Sequence, residues 1–317
     1  MDGKIKAVPV AVWWQGTNNV DYWVKERGVN ILWWDKAIYS SAGDWEAMHQ
    51  DVEKLRTAGF NVWVIRQPAY LIGPDKLDIN FDIKWKSHLY AFDLDDEFED
   101  KISGGNLWSN PQPIVDYVKQ RVADYHKWMP DMPIMANFNG THIGNDLKDR
   151  YLNIVGAGID IVCSDCYPCA AQQVKPDGTL LYPNVVGGAI NGSVLLKQWF
   201  PHKPVWVFLE CCNQDIMKAG TDGWSAPWKS VGSRAPTSQE LWQILYYWKQ
   251  AGGDGIAWFP QAHGGAINDA TDPALIPTMV QMAYSLNPPK PVTPVIVPAK
   301  KLVKTISIYD DWSIDVK

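Results

Sequence analysis

Clustered positive charge is missing from this chain of 317 residues. Lys and Arg number 29 against 35 Asp and Glu, the formal net charge is -6, and no run of basic residues stands out. Phosphate backbones are neutralised by grouped Lys and Arg, so a nucleic-acid partner is excluded. No stretch approaches the roughly 18 uninterrupted apolar residues of a membrane span. Residues 1–20 lack a basic segment followed by a long apolar core, so no signal peptide is expected. The chain is expected to be cytoplasmic, or exported or virion-associated by another route. Cysteine is scarce: the five are Cys163, Cys166, Cys169, Cys211 and Cys212. An odd number, none near the termini, is not a disulfide framework. No Gly-x-Gly-x-x-Gly turn follows an apolar run, which argues against a doubly wound dinucleotide-binding sheet. No cofactor is expected.

Tryptophan is what abounds, at 18 residues. Its large flat apolar face suits both core packing and the C–H patches of a pyranose ring. Most of the 18 are expected in the core.

Eight short apolar runs recur along the chain: residues 7–14, 29–34, 60–65, 89–94, 132–138, 159–163, 205–209 and 255–260. Runs rich in β-branched and aromatic residues read as parallel strands covered on both faces. Amphipathic helices are expected over 44–58, 113–128 and 237–250, the last with Thr237 and Glu240 as a capping box. Shorter helices are expected over 19–27, 146–155, 193–200 and 273–286. Eight strands alternating with helices predict a (β/α)8 TIM barrel over residues 1–287, an α/β fold. The stretches 68–88, 170–189 and 213–236 are expected as loops walling a cleft, with a turn at 176–178. A Pro-rich linker over 288–300 and a short β tail over 301–317 follow. The tail is either a small hairpin packed on the barrel or the first strands of a further module, and it offers a route into a larger assembly.

In such a barrel the side chains just past the strands' C-terminal ends share one rim. Here that rim collects Trp14, Arg66, Asp96, Glu97, Asn137, Asn139, His142, Asp165, Tyr167, Glu210, Trp258, Gln261 and His263. Carboxylates, amides and aromatics in this mixture suit a polyhydroxylated sugar. Two opposed carboxylates cleave a glycosidic bond by attacking the acetal carbon and protonating the leaving oxygen. Glu97, after the fourth run, and Glu210, ending the seventh, are the expected pair. Glu99 is the alternative to Glu97 within the acidic run 95–100, which would otherwise be a solvated loop. Cys163-x-x-Cys166-x-x-Cys169 has metal-ligand spacing, but the first lies on a strand and the three would point in different directions. Packed thiols are expected, and no metal.

A glutamate after strand four and another after strand seven of eight resemble the retaining (β/α)8 glycoside hydrolases commonly called clan A. The likeness covers roughly residues 7–286, as architecture and strand-end residues. It implies Glu97 as acid/base, Glu210 as nucleophile, Tyr167 as a hydrogen-bond donor to that nucleophile, and Trp258 as a sugar platform. The commonest residue before the family's acid/base is Asn, whereas this chain has Asp96. Asp96-Glu97-Phe98 looks like a variant of an Asp-Glu-Pro form. The expected partner is an oligo- or polysaccharide substrate. Two other readings of the same rim are a carbohydrate-binding barrel without activity and a structural module of an extracellular or virion assembly.

Overall fold

The computed structural model describes residues 7–14, 23, 26–35, 57, 63–66, 89–128, 130–169, 173–174, 177–212, 229–230, 234–260, 271–288, 306–308 and 314–316. At 14, 34–35, 63–66, 89, 128, 173–174, 229–230, 306–308 and 314–316 it describes the backbone alone. Of the expected helix over 44–58 only Thr57 is described, and the loop over 68–88 lies outside the described residues.

All eight apolar runs become strands: β1 (Val10–Trp14), β2 (Ile31–Asp35), β3 (Trp63–Arg66), β4 (Leu89–Asp96), β5 (Ile134–Asn139), β6 (Ile161–Asp165), β7 (Val205–Glu210) and β8 (Gly255–Phe259). Each pairs in parallel with its sequence neighbours, and β8 closes on β1 through Val10↔Ile256 to Val12↔Trp258. The described helices are α1 (Gln112–Trp128), α2 (Lys148–Gly156), α3 (Val185–Trp199), α4 (Ser238–Gln250) and α5 (Ile276–Leu286). Thr237 and Glu240 form the expected capping box at α4. Among the described residues, no helix is long and apolar enough to cross a membrane.

Strand alternation divides the apolar residues into two cores. Val205, Val207 and Leu209 of β7 face the helices, while Trp206 and Phe208 face the barrel axis. The axis is filled largely by aromatic rings. Trp33 lies 5.4 Å from Trp13, 5.0 Å from Phe208 and 6.4 Å from Trp206. Its indole N–H donates to Asp93 Oδ2 at 2.9 Å, which gives the buried nitrogen an acceptor. Below the rings, Asn30 and Asn287 hold the start of β1 through Val8 and Val10 backbone groups, tying α5 to the barrel floor.

One helix differs from expectation. α3 begins at Val185, about two turns before the expected start at 193. Gly187, Gly188 and Gly192 read as loop residues because glycine costs a helix about 1 kcal/mol. Packing outweighs that cost here. A Cβ on Gly192 would stand 2.9 Å from the Gly140 carbonyl, so glycine lets α3 close onto the end of β5. Asn184 caps the helix by accepting from the Gly187 N–H at 3.0 Å.

Gln173–Val174 pairs antiparallel with Lys229–Ser230, which joins two of the stretches expected to wall the cleft. In the tail, Ile306–Ile308 pairs antiparallel with Ile314–Val316.

Candidate active site

The site grows out of an irregularity between β4 and β5. Asp93 pairs with Met135, but Asp96 pairs with Asn137, so β4 carries one extra residue. A bulge of this kind re-aims the side chains beyond it. Strict alternation from the inward Ala91 and Asp93 would turn Asp95 inward and Asp96 outward. Instead Asp96 shares the inward face with Asn137, whose Nδ2 donates to Asp96 Oδ1 at 2.9 Å. Asp95 is turned to α1 and receives Tyr117 OH at 3.5 Å.

Glu97 follows directly. Its backbone is left-handed, with φ 44° and ψ 42°, and among the described residues it is the only non-glycine with positive φ. That conformation costs a side-chain-bearing residue on the order of 1 kcal/mol, and such strain clusters at functional positions. The Glu97 N–H is held by the Asn137 carbonyl at 3.0 Å, which pins the turn. Burial, then the charge of Asp96, pushes the Glu97 carboxyl up to about 7; Lys101 and His142 act against the shift. Lys101 Nζ is 3.6 Å from Asp96 Oδ2 and also bonds the Asp96 carbonyl.

The rest of the acidic run is not a solvated loop. Phe98 is fully buried against Phe138, with ring centroids 5.2 Å apart. Glu99 is 2% exposed, and its Oε1 accepts the Asn139 N–H at 2.7 Å. Its burial lies behind the strand end, and desolvation holds its carboxyl well above the usual range. Asp100 receives the Asn139 amide at 3.1 Å and stands 3.1 Å from His142 Nδ1. Asn139 and His142 therefore brace the loop behind Glu97.

Across β6, Asp165 is 8% exposed, with its carboxyl raised by burial and then by the charges of Glu97 and Asp96. Asn137 and Tyr167 face it as hydrogen-bond donors. Gly140 sets this spacing: its N–H bonds the Asp165 carbonyl at 2.7 Å, and a Cβ there would come within 2.4 Å of that oxygen.

Glu210 ends β7 and is 6% exposed. Its Oε2 accepts the Cys169 N–H at 3.1 Å, and it is near enough to Arg234 to act on that guanidinium. Arg234 is itself held by Glu240 through contacts of 2.7 and 2.6 Å, which lowers the Glu240 carboxyl to about 2. Cys166 lies between the two halves, under the fields of both Asp165 and Glu210.

Two expectations need correction. Trp258 is fully buried in the helix-side core, so it offers no platform at the mouth. On β8 the axis-facing residues are Ala257 and Phe259, and Phe259 pairs with Glu210 in register and stacks on Tyr167 at 4.8 Å. Tyr167, in turn, is directed at Asp165, and a backbone N–H from the same loop serves Glu210. Lys101, Phe259, Cys169 and Arg234 were missed. An inward phase for β8 would have found Phe259; the others have no signature in the sequence. Trp14 and Arg66 are placed by backbone only, at the ends of β1 and β3. Gln261 and His263 lie outside the described residues. The five cysteines are buried, and none is in a disulfide.

The closed parallel barrel is a (β/α)8 fold, one that several solved glycoside hydrolases share. An exo-β-1,4-mannosidase from Opitutaceae bacterium strain TAV5 superposes with a TM-score of 0.54 at 14% identity, over 88% of this chain and 60% of that one. This chain thus spans less than two thirds of that mannosidase. A hyperthermostable endo-1,4-β-D-mannanase from Thermotoga petrophila RKU-1 gives 0.53 at 10% identity, over 89% of this chain and 100% of the other. A modular endo-β-1,4-mannanase from Cellulomonas fimi, of glycoside hydrolase family 26, gives 0.55 at 11%, over 89% and 71%. These likenesses show the fold. No protein-family model and no curated protein sequence matches the chain.

Proposed function

We propose that the protein is a retaining glycoside hydrolase in which Glu97 is the acid/base and Glu210 the nucleophile. The observation that carries this reading is Glu97 itself. A carboxyl pushed up to about 7 keeps its proton close to neutral pH and can also give it up, as an acid that later serves as base must. It does so at the barrel mouth, on a strained backbone. Glu210 receives the Cys169 N–H and lies in the field of Arg234.

In the first step a Glu210 oxygen attacks the anomeric carbon. The bond to the leaving oxygen breaks, and that oxygen takes the Glu97 proton. In the second, Glu97 as carboxylate takes a proton from water, the water oxygen attacks the same carbon, and Glu210 is released. Phe259 beside Glu210 supplies an apolar face near the bond being cut.

Digestion of a polysaccharide panel, with proton NMR of the first product anomer, tests the whole assignment. The structural neighbours named for β-1,4-mannan make that polymer the first substrate to include. A β-linked substrate is expected to give the β anomer first. An α anomer would overturn the double displacement, and binding without cleavage would make the barrel a sugar-binding module.

Asp96→Asn tests the electrostatics. Asp96 raises the Glu97 carboxyl, so removing its charge lowers that pKa from about 7 towards the ordinary 4.5. The alkaline limb of kcat/KM is expected to move to lower pH. Asp165→Asn is expected to move it less, because Asp96 is the leading charge that raises the Glu97 carboxyl and Asp165 is not among those that do. A limb unmoved by Asp96→Asn shows that Glu97 does not set it.

A further inference from the structure

Among the described residues Trp108 is the one exposed tryptophan. Trp13, Trp23, Trp33, Trp206, Trp248 and Trp258 are all buried, whereas Trp108 is 48% exposed. A single exposed aromatic is ordinary on a protein surface, but this one is held by a constructed loop. Asn106 and Asn110 exchange backbone hydrogen bonds of 2.9 and 2.8 Å. Asn106 Oδ1 accepts the N–H groups of Trp108 at 2.9 Å and Ser109 at 3.0 Å. The Asn110 amide donates to the Gly104 carbonyl at 3.1 Å, Leu107 is 1% exposed beneath, and Arg150 bonds the Leu107 carbonyl.

The indole is also tied to the site. The His142 ring lies 4.8 Å from it, inclined at 73°. His142 Nδ1 lies 3.1 Å from Asp100 Oδ1, so the ring's Nε2 is turned away from that carboxylate. His142 is near enough for its charge to act on Glu97. An open aromatic face beside an imidazole nitrogen is the pairing a pyranose needs: C–H bonds against the ring, a hydroxyl against the nitrogen.

We infer that Trp108 and His142 form a sugar subsite on the leaving-group side of the cleavage point, taking a neutral pyranose of the oligosaccharide chain. The side follows from topology. Trp108 and His142 belong to the loops after β4 and β5, beside Glu97, while Glu210 sits on β7 beyond β6. The inference rests on Glu97 being the acid, since the acid meets the leaving oxygen.

The test compares two kinds of probe: β-1,4-mannohexaose and cellohexaose, which place sugars on the leaving side, and β-mannobiosyl and β-cellobiosyl fluorides, which place none there. Trp108→Ala is expected to lower kcat/KM on the cleaved hexaose by about tenfold or more, by loss of an aromatic contact. Turnover of the matching fluoride is expected to stay within roughly twofold, as for a surface change that leaves the fold intact. Trp108→Phe, which keeps an aromatic face, is expected to recover most of the loss. Equal losses on hexaose and fluoride, or no loss on either, would overturn the subsite while leaving the hydrolase reading in place. If the unaltered protein cleaves no hexaose and no fluoride, the hydrolase reading falls and the subsite falls with it.

Discussion

Glu97→Gln is expected to cut turnover on a natural glycan by about 100- to 10,000-fold, the range of a positioned general acid. A substrate with a fluoride leaving group needs no protonation, so its glycosylation step is expected to be largely spared. The same variant is expected to be more stable than the parent above neutral pH. Burial raises the folded-state pKa of Glu97 from 4.5 to about 7, so ionising it opposes folding. The penalty is absent below about pH 4.5, grows as pH rises towards 7, and is complete above that. Gln carries no charge and escapes it. The gain at pH 8, with partial solvent screening allowed for, is on the order of 1–3 kcal/mol. Chemical denaturation at pH 5 and pH 8 measures it. Equal midpoint differences at both pH values would show that Glu97 is not held protonated by the fold. Full activity of the variant would remove it from the chemistry.

Glu210→Ala is expected to lower turnover at least about 1,000-fold, because the covalent route loses its attacking oxygen. Added azide is expected to restore part of it. The azide attacks from the face that Glu210 vacated, so the glycosyl azide formed has the configuration opposite to the substrate. A retained configuration would place the nucleophile elsewhere. Glu210→Gln separates chemistry from folding. It keeps an oxygen for the Cys169 N–H, whereas alanine leaves that buried donor unpaired at about 1–3 kcal/mol. Both variants losing turnover alike, with only the alanine form destabilised, is the expected outcome.

Much of the architecture was legible from local pattern. The eight strands formed where short β-branched and aromatic runs stood between helical periodicities. Thr237 and Glu240 announced α4 because a capping box is satisfied within four residues. The α3 start was hidden because the benefit of Gly192 lies in Gly140, on another element. Trp258 and Phe259 are both apolar, and an all-apolar strand does not disclose which of its faces meets the axis. The register with β7 decides it.

The sequence by itself determined that a barrel forms and that Glu97 and Glu210 stand at strand ends. Both follow from short-range order, since hydrophobic periodicity and the point where a run stops are properties of neighbouring residues. Only the tertiary structure decided what those positions mean chemically. The extra residue in β4 turns Asp96 inward beside Asn137, and the Asn137 carbonyl holds Glu97 in a left-handed turn. Burial and the charge of Asp96 then raise the carboxyl. Each of these depends on what lies across the sheet, and strand pairing sets that over separations of about forty residues.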